Sequence, residues 1–198
     1  MIEGVWDIMF TDENIKSIIS SIENASKKKD TDYFCLTRDV FQARVDSYVL
    51  RTNRYLESAI IGEIGNNTFD HNWDYAEGHL RGTYLNLDGF ENVVILADFG
   101  RGIRNSLEKV YKTFSDEEAV KIAFTKQISG RAPEQRGNGL KFVLENVKNK
   151  NWSLYFQSGS GCCIINNGDV MFKNCNFKVI GCISILVFGG DKNEFSNK

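Results

Sequence analysis

Residues 63–71 read Glu-Ile-Gly-Asn-Asn-Thr-Phe-Asp-His. They close a helical pattern that begins near Asn53 and runs to about Asn72. Within it, Leu56, Ile60 and Ile64 recur every four residues and define an apolar arc. Glu63, Asn67 and His71 recur at the same interval and fall on or beside that arc, because successive helical residues turn by about 100°. Polar groups aimed at a core are costly unless something polar meets them. Two readings stay open from this stretch alone: a helix end turning out into solvent, or a polar ligand or metal lying against the helix.

Further along, Asp98-Phe99-Gly100-Arg101-Gly102 follows an apolar run at residues 93–97 that reads as a compact buried strand. An acid at a strand end supplies one fixed acceptor, and the glycines after it let the backbone approach a flat ligand closely. A tight strand-to-helix turn capped by Asp98 is the plainer alternative. Arg136-Gly137-Asn138-Gly139-Leu140 then opens a helix with Leu140, Val143, Leu144 and Val147 on one face. Glycines ahead of a helix allow backbone N–H groups and the positive helix end to face an anion such as phosphate, although a flexible loop entering a helix would look the same. The Asp-Phe-Gly run is not a protein-kinase magnesium motif, since the catalytic-loop and lysine motifs are missing. No Walker phosphate loop occurs either.

Around these stretches the chain is ordinary globular sequence. Its 198 residues bound it to one domain with a small appendage. A formal net charge of −2 lacks the basic surplus that a general nucleic-acid binder needs to release counterions. No run is long and apolar enough for a membrane span, and the first ten residues carry acid where a secretory signal carries base. Five cysteines, odd in number and without a CxxC spacing, read as buried reduced thiols in a cytoplasmic protein. Thr11 is placed to cap a helix with Asp12 and Glu13 in its first turn and Ile15, Ile18, Ile19 and Ile22 on one face. Lys27, Lys28 and Lys29 suit its C-terminal end. A second helical pattern covers residues 32–49, residues 80–87 alternate loosely, and another helix is predicted at 116–127. Short strands are predicted at 154–156, 162–165, 170–172 and 183–188. Helices mostly first and strands mostly last give an α+β class with helices covering one sheet face.

In their order along the chain, these motifs resemble the GHKL superfamily of ATP-binding domains (the Bergerat fold), which spans gyrase subunits, heat-shock chaperones, mismatch-repair proteins, sensor histidine kinases and anti-sigma-factor serine kinases. Glu63, Asn67 and His71 match its N-box. Asp98, Gly100 and Gly102 match the G1 box, and Gly137, Gly139 and Leu140 the G2 box. The run from Gly181 to Phe188 resembles a closing strand that often begins Gly-Thr, but Cys182 stands where the threonine would be. The resemblance covers residues 56–188.

The resemblance implies a two-layer α/β sandwich with a mixed, mostly antiparallel sheet covered on one face. It divides the chain into a helical N-terminal extension (1–52), an ATP-binding domain (53–190) and a polar tail (191–198). It further implies ATP and Mg²⁺ as cofactors. Asp98 would accept from the adenine amino group while Gly100 and Gly102 let the backbone pass beside the base. Asn67 would hold Mg²⁺, and Gly137 and Gly139 would wrap the phosphates ahead of the helix starting at Leu140. The segment between Gly102 and Gly137 would include a mobile lid, from which Arg131 or Arg136 would reach the γ-phosphate. Glu63 takes the position of the general base, and His71 either orients a phosphate or finishes the helix. With two histidines, His71 and His79, neither on a recognisable dimerisation helix, the chain is most similar to stand-alone anti-sigma-type regulatory serine kinases. The implied function is a Mg-ATP-binding regulator of a protein partner. A non-catalytic ATP-sensing module, or a slow ATPase working as a homodimer with the N-terminal helices between protomers, are the alternatives.

Overall fold

The computed structural model describes residues 10–71, 78–90, 92–108, 111–113, 115–126 and 138–189, excluding the side chains of 88–90. Arg131, Arg136, Gly137 and the tail expected at 191–198 lie outside the described residues.

The first helix, α1 (Asp12–Lys27), starts where the Thr11 side chain accepts the Asn14 N–H, as the sequence suggests. The next helix begins later than its pattern implied. Thr37 caps α2 (Arg38–Thr52) by accepting from the Val40 N–H, and the residues before it form a short strand, β1 (Phe34–Cys35). Asn53, in the left-handed region at φ 56°, ends α2 and lets α3 (Tyr55–His71) fold back against it. Then come β2 (Thr83–Phe90), β3 (Val93–Asp98), a short helix α4 (Gly102–Leu107) that follows the strand-to-helix turn at Asp98, and α5 (Asp116–Thr125). Last are α6 (Gly139–Asn149), β4 (Ser153–Asn166) and β5 (Asp169–Val187).

Among the described residues the strands form one sheet in the order β1-β2-β3-β5-β4, with every pair antiparallel. The four short strands expected near the C-terminus are pieces of a single long hairpin, β4–β5. Its glycines bend the strands without ending them: residues 175–181 of β5 face only 159–160 of β4, a bulge that reverses which face the odd-numbered residues of β4 address.

Side-chain alternation divides the core in two. Val94, Leu96, Leu154, Phe156 and Leu186 face the layer built by α2, α3, α5 and α6. Val93, Ala97, Tyr155, Ile183 and Ile185 face the other way, where Ile15 and Ile22 of α1 cover them. The architecture is the expected α/β sandwich, and α1 adds a helix to the sheet's second face. Residues before Tyr55 contribute an edge strand and also Phe41, Val45 and Tyr48 to the main core.

One expectation about the cysteines is corrected. Cys35 and Cys163 are buried free thiols, but Cys162 and Cys175 form a disulfide across β4–β5, with Cα atoms 6.4 Å apart. An odd cysteine count conceals a pair whenever the remainder are unpaired. Among the described residues no helix is long and apolar enough to cross a membrane.

The α2–α3 contact depends on a missing methyl group. A Cβ on Gly65 would run into the Phe41 ring, which is fully buried, whereas a Cβ on Gly62 would meet nothing within 4 Å. Two glycines of one helix should therefore respond oppositely to alanine. Gly62→Ala gains helix propensity of up to about 1 kcal/mol. Gly65→Ala overpacks the interface and loses about 1–3 kcal/mol. Urea unfolding midpoints of the two variants should fall on opposite sides of the parent.

Candidate functional site

Helix α3 carries the first set of residues. Its buried residues are Ser58, Ile60, Ile61, Ile64, Gly65 and Thr68. Glu63 is exposed, while Asn67 and His71 are half-buried, so the polar stripe runs along the rim of the core and does not point into it. His71 is the last residue of the helix.

Asp98 ends β3 and is 5% exposed. One carboxylate oxygen accepts the Gly100 N–H at 2.9 Å, and the other accepts the Thr68 hydroxyl at 3.3 Å. The Cys182 backbone N–H donates to the same carboxylate. Burial dominates these three donors and pushes the carboxyl up to about 6. Opposite it, Gly181 sits at φ +69°, and a Cβ there would stand 2.6 Å from an Asp98 oxygen as well as striking its backbone. Only glycine lets β5 pass so close to this acid.

Gly139 begins α6, and a Cβ on it would collide with the Glu63 carboxylate. The absent side chain is what allows Glu63 to lie at the start of that helix. Leu140, next in sequence, is buried in the main core together with Val143 and Val147, which anchors the helix start. Gly100 and Gly102 form the turn after β3. Gly102, at φ +74°, is backed by Ser158, whose hydroxyl accepts the Ile103 N–H at 2.9 Å and donates to the Gly181 carbonyl at 3.0 Å.

This turn borders an open cleft of about 440 Å³, with Arg101, Arg104 and Asn105 on one wall and Gly159 and Lys178 to Gly181 on the other. At its end lies Asp116. Burial raises this carboxyl, but the Ser160 N–H and hydroxyl, with Lys178 and Arg104 nearby, outweigh that and hold it below its ordinary value.

The structure brings two pairs of the motif residues together, Glu63 with Gly139 and Asp98 with Gly100, and Thr68, adjacent to Asn67, joins the helix of the first pair to the acid of the second. Leu140 turns to the core, and Arg136 and Gly137 lie outside the described residues. Thr68, Ser158 and Gly181 are the participants that the sequence reading did not assign to the site. Thr68 was legible in principle: four residues beyond Ile64, it falls on the apolar arc, where a hydroxyl needs a partner.

The Asp98 carboxyl should titrate visibly. Its folded value, about 6, exceeds the ordinary 3.8. The stability it contributes is complete below the unfolded value and is lost as pH rises through the folded one, so the parent should lose stability between about pH 4 and 7. Relative to Asp98→Asn, which cannot ionise, this loss is on the order of 3 kcal/mol. Urea unfolding across that range measures the difference, and the ¹³C carboxyl resonance of Asp98 should titrate with a midpoint near 6.

No protein-family model matches this sequence. No curated protein matches it. Among solved structures, the fold is similar to the B subunit of DNA gyrase from Myxococcus xanthus, with a TM-score of 0.36 and 11% sequence identity over 71% of this chain. The match spans 39% of the gyrase chain.

Proposed function

We propose that this protein binds Mg-ATP at the end of α3 and acts on a protein partner, by transferring the γ-phosphoryl group to a hydroxyl or by presenting a nucleotide-dependent surface. The observation that supports this most is the pair of contacts just described. A single helix touches a buried strand-end acid through Thr68 and the opening of another helix through Glu63, with Asn67 between them.

The residues suit the ligand chemically. Asp98 is a buried acceptor of fixed orientation beside two glycines, which is what a planar base with an exocyclic amino group requires. Asn67 offers an amide oxygen, a hard ligand appropriate for Mg²⁺. Among the described residues no cluster of three His, Cys, Asp or Glu is arranged to hold a metal, so on this reading the remaining ligands would be phosphate oxygens and water. Magnesium, when bound, would neutralise phosphate charge. The start of α6 at Gly139 would face the phosphates with its N–H groups, to which Gly137, Arg136 and Arg131 belong by sequence order. Glu63 is exposed and lies at that helix start, so it would take the proton from an attacking water or hydroxyl. His71 would then serve chiefly to finish α3.

Keeping a carboxylate at position 63 favours chemistry over sensing alone, since pure sensing needs no base. The family assignment to stand-alone regulatory kinases belongs to the same proposal, as does a cytoplasmic setting.

Calorimetry tests the reading. ATP with Mg²⁺ should bind, and GTP, which presents a carbonyl where adenine presents its amino group, should bind at least tenfold more weakly, a difference of roughly 1.4 kcal/mol. Asp98→Asn should weaken ATP binding by a comparable or larger factor. Asn67→Ala should remove the dependence on magnesium. Glu63→Ala should bind ATP normally while losing γ-phosphate release and transfer. A parent protein that gives no heat with ATP would overturn the assignment.

A further inference from the structure

The Cys162–Cys175 pair bridges β4 and β5, and nothing in the nucleotide reading uses it. Its surroundings form a connected network. Cys162 is fully buried and Cys175 partly so. The Tyr155 hydroxyl stands 3.7 Å from the Cys162 sulfur and 3.5 Å from that of Cys175, and it donates to Gln157 Oε1 at 2.5 Å. Gln157, with no exposed surface, then donates through Nε2 to the carbonyls of Gly159 and Phe177, at 3.0 and 2.9 Å. Those carbonyls lie on the two sides of the bulge. The sulfurs, one tyrosine and one glutamine thus hold the bulged segment, residues 175–181 of β5, against β4.

Helix α1 rests on the same segment. Phe10, just ahead of the helix, stacks on the Tyr155 ring with centroids 6.0 Å apart. Lys16 lies 5.0 Å over the Phe177 ring, and Asn176 donates to the Asp12 carboxylate at 3.1 Å. Every one of these contacts is made to the disulfide's immediate neighbours in sequence or space.

We infer that Cys162 and Cys175 form a reversible thiol–disulfide couple whose state sets how firmly α1 is seated on the sheet. The oxidant is a low-molecular-weight disulfide such as oxidised glutathione. The partly exposed Cys175 thiol loses its proton, and its sulfur attacks one glutathione sulfur. A mixed disulfide forms and the first glutathione leaves, taking up a proton. The Cys162 sulfur, likewise deprotonated, then attacks the Cys175 sulfur, closing the internal bond and releasing the second glutathione. Two protein thiols are oxidised and one glutathione disulfide is reduced to two thiols, so the electrons balance. Reduction reverses this and leaves two separate thiols in a space filled by one bonded pair. Tyr155, Gln157 and the bulge must then readjust, and α1 loses its rigid platform.

The test uses the full chain equilibrated with oxidised glutathione or with dithiothreitol. Alkylation followed by peptide mass spectrometry should recover a single disulfide, Cys162 to Cys175, with Cys35, Cys163 and Cys182 alkylated after unfolding. Hydrogen exchange should then show amides of residues 12–27 and 175–181 exchanging at least tenfold faster in the reduced chain, while residues 139–149 of α6 stay unchanged. Cys175→Ser should show the fast pattern in both buffers. Should that variant fail to fold, the reduced parent provides the same comparison. Absence of the disulfide under oxidising conditions, a different pairing, or identical protection of α1 in both states would overturn the inference. Neither measurement requires nucleotide, so the outcome is independent of whether ATP binds.

Discussion

The buried carboxylate of Asp98 is where three parts of the fold are tied together. Thr68 reaches it from α3, Cys182 from β5, and Gly100 from the turn that β3 enters. An acid withdrawn from water is tolerable only when its oxygens are met by donors, so each of these elements has little freedom to move independently. Gly181 has to be glycine because β5 passes this acid without room for a methyl group. The register of the central strands, the end of α3 and the start of α4 are consequently linked through one side chain.

The sheet carries a second constraint. Because side chains alternate along a strand, a change of register in one strand exchanges its faces. The bulge in the β4–β5 hairpin makes that exchange, which is why Tyr155 and Cys162 share the face covered by α1 although their numbers differ by an odd interval. The hairpin therefore serves two different environments. Near its base, Leu154, Phe156 and Leu186 fill the helix-side core, while Tyr155, Cys162 and Cys175 form the platform under α1. Gln157 spans the irregular stretch, since its amide donates to the carbonyl of Gly159 on one strand and of Phe177 on the other.

What could be read from the sequence was mainly what depends on local chemistry. Thr11 with its following acids announced α1, and the apolar face after Gly139 announced α6. The run of apolar residues at 93–97 announced a strand buried on both faces. Features set by distant partners were hidden. Phe34 and Cys35 are too few to show a strand period, and they become one only because β2 lies beside them. Gly159 and Gly161 look like strand breakers, but the long pairing with β5 carries the strand through them. The spacing of Glu63, Asn67 and His71 put them on one side of the helix, yet angle alone could not tell the rim of the core from its interior, which depends on the elements packed around the helix. Cysteine pairing was equally invisible, because it depends on the register of the hairpin.

Two functions that the proposed reading assigns to α3 are separable along its length. Recognition would occur near its end, where Thr68 helps hold Asp98, and chemistry about one and a half turns earlier, where Glu63 lies at the opening of α6. The energetics of the recognition end follow from burial. A carboxyl pushed up to about 6 is ionised at neutral pH against an opposing desolvation cost. A ligand that donates an N–H to it relieves part of that cost, whereas one that presents a carbonyl adds lone-pair repulsion and leaves its own acceptor unmet. Discrimination of this kind, based on a buried polar group left without its partner, is stronger than shape alone provides. It also depends on elements already fixed by packing, β3, β5 and the end of α3. The choice of ligand and the use made of it would then be altered separately by substitutions about five residues apart on one helix.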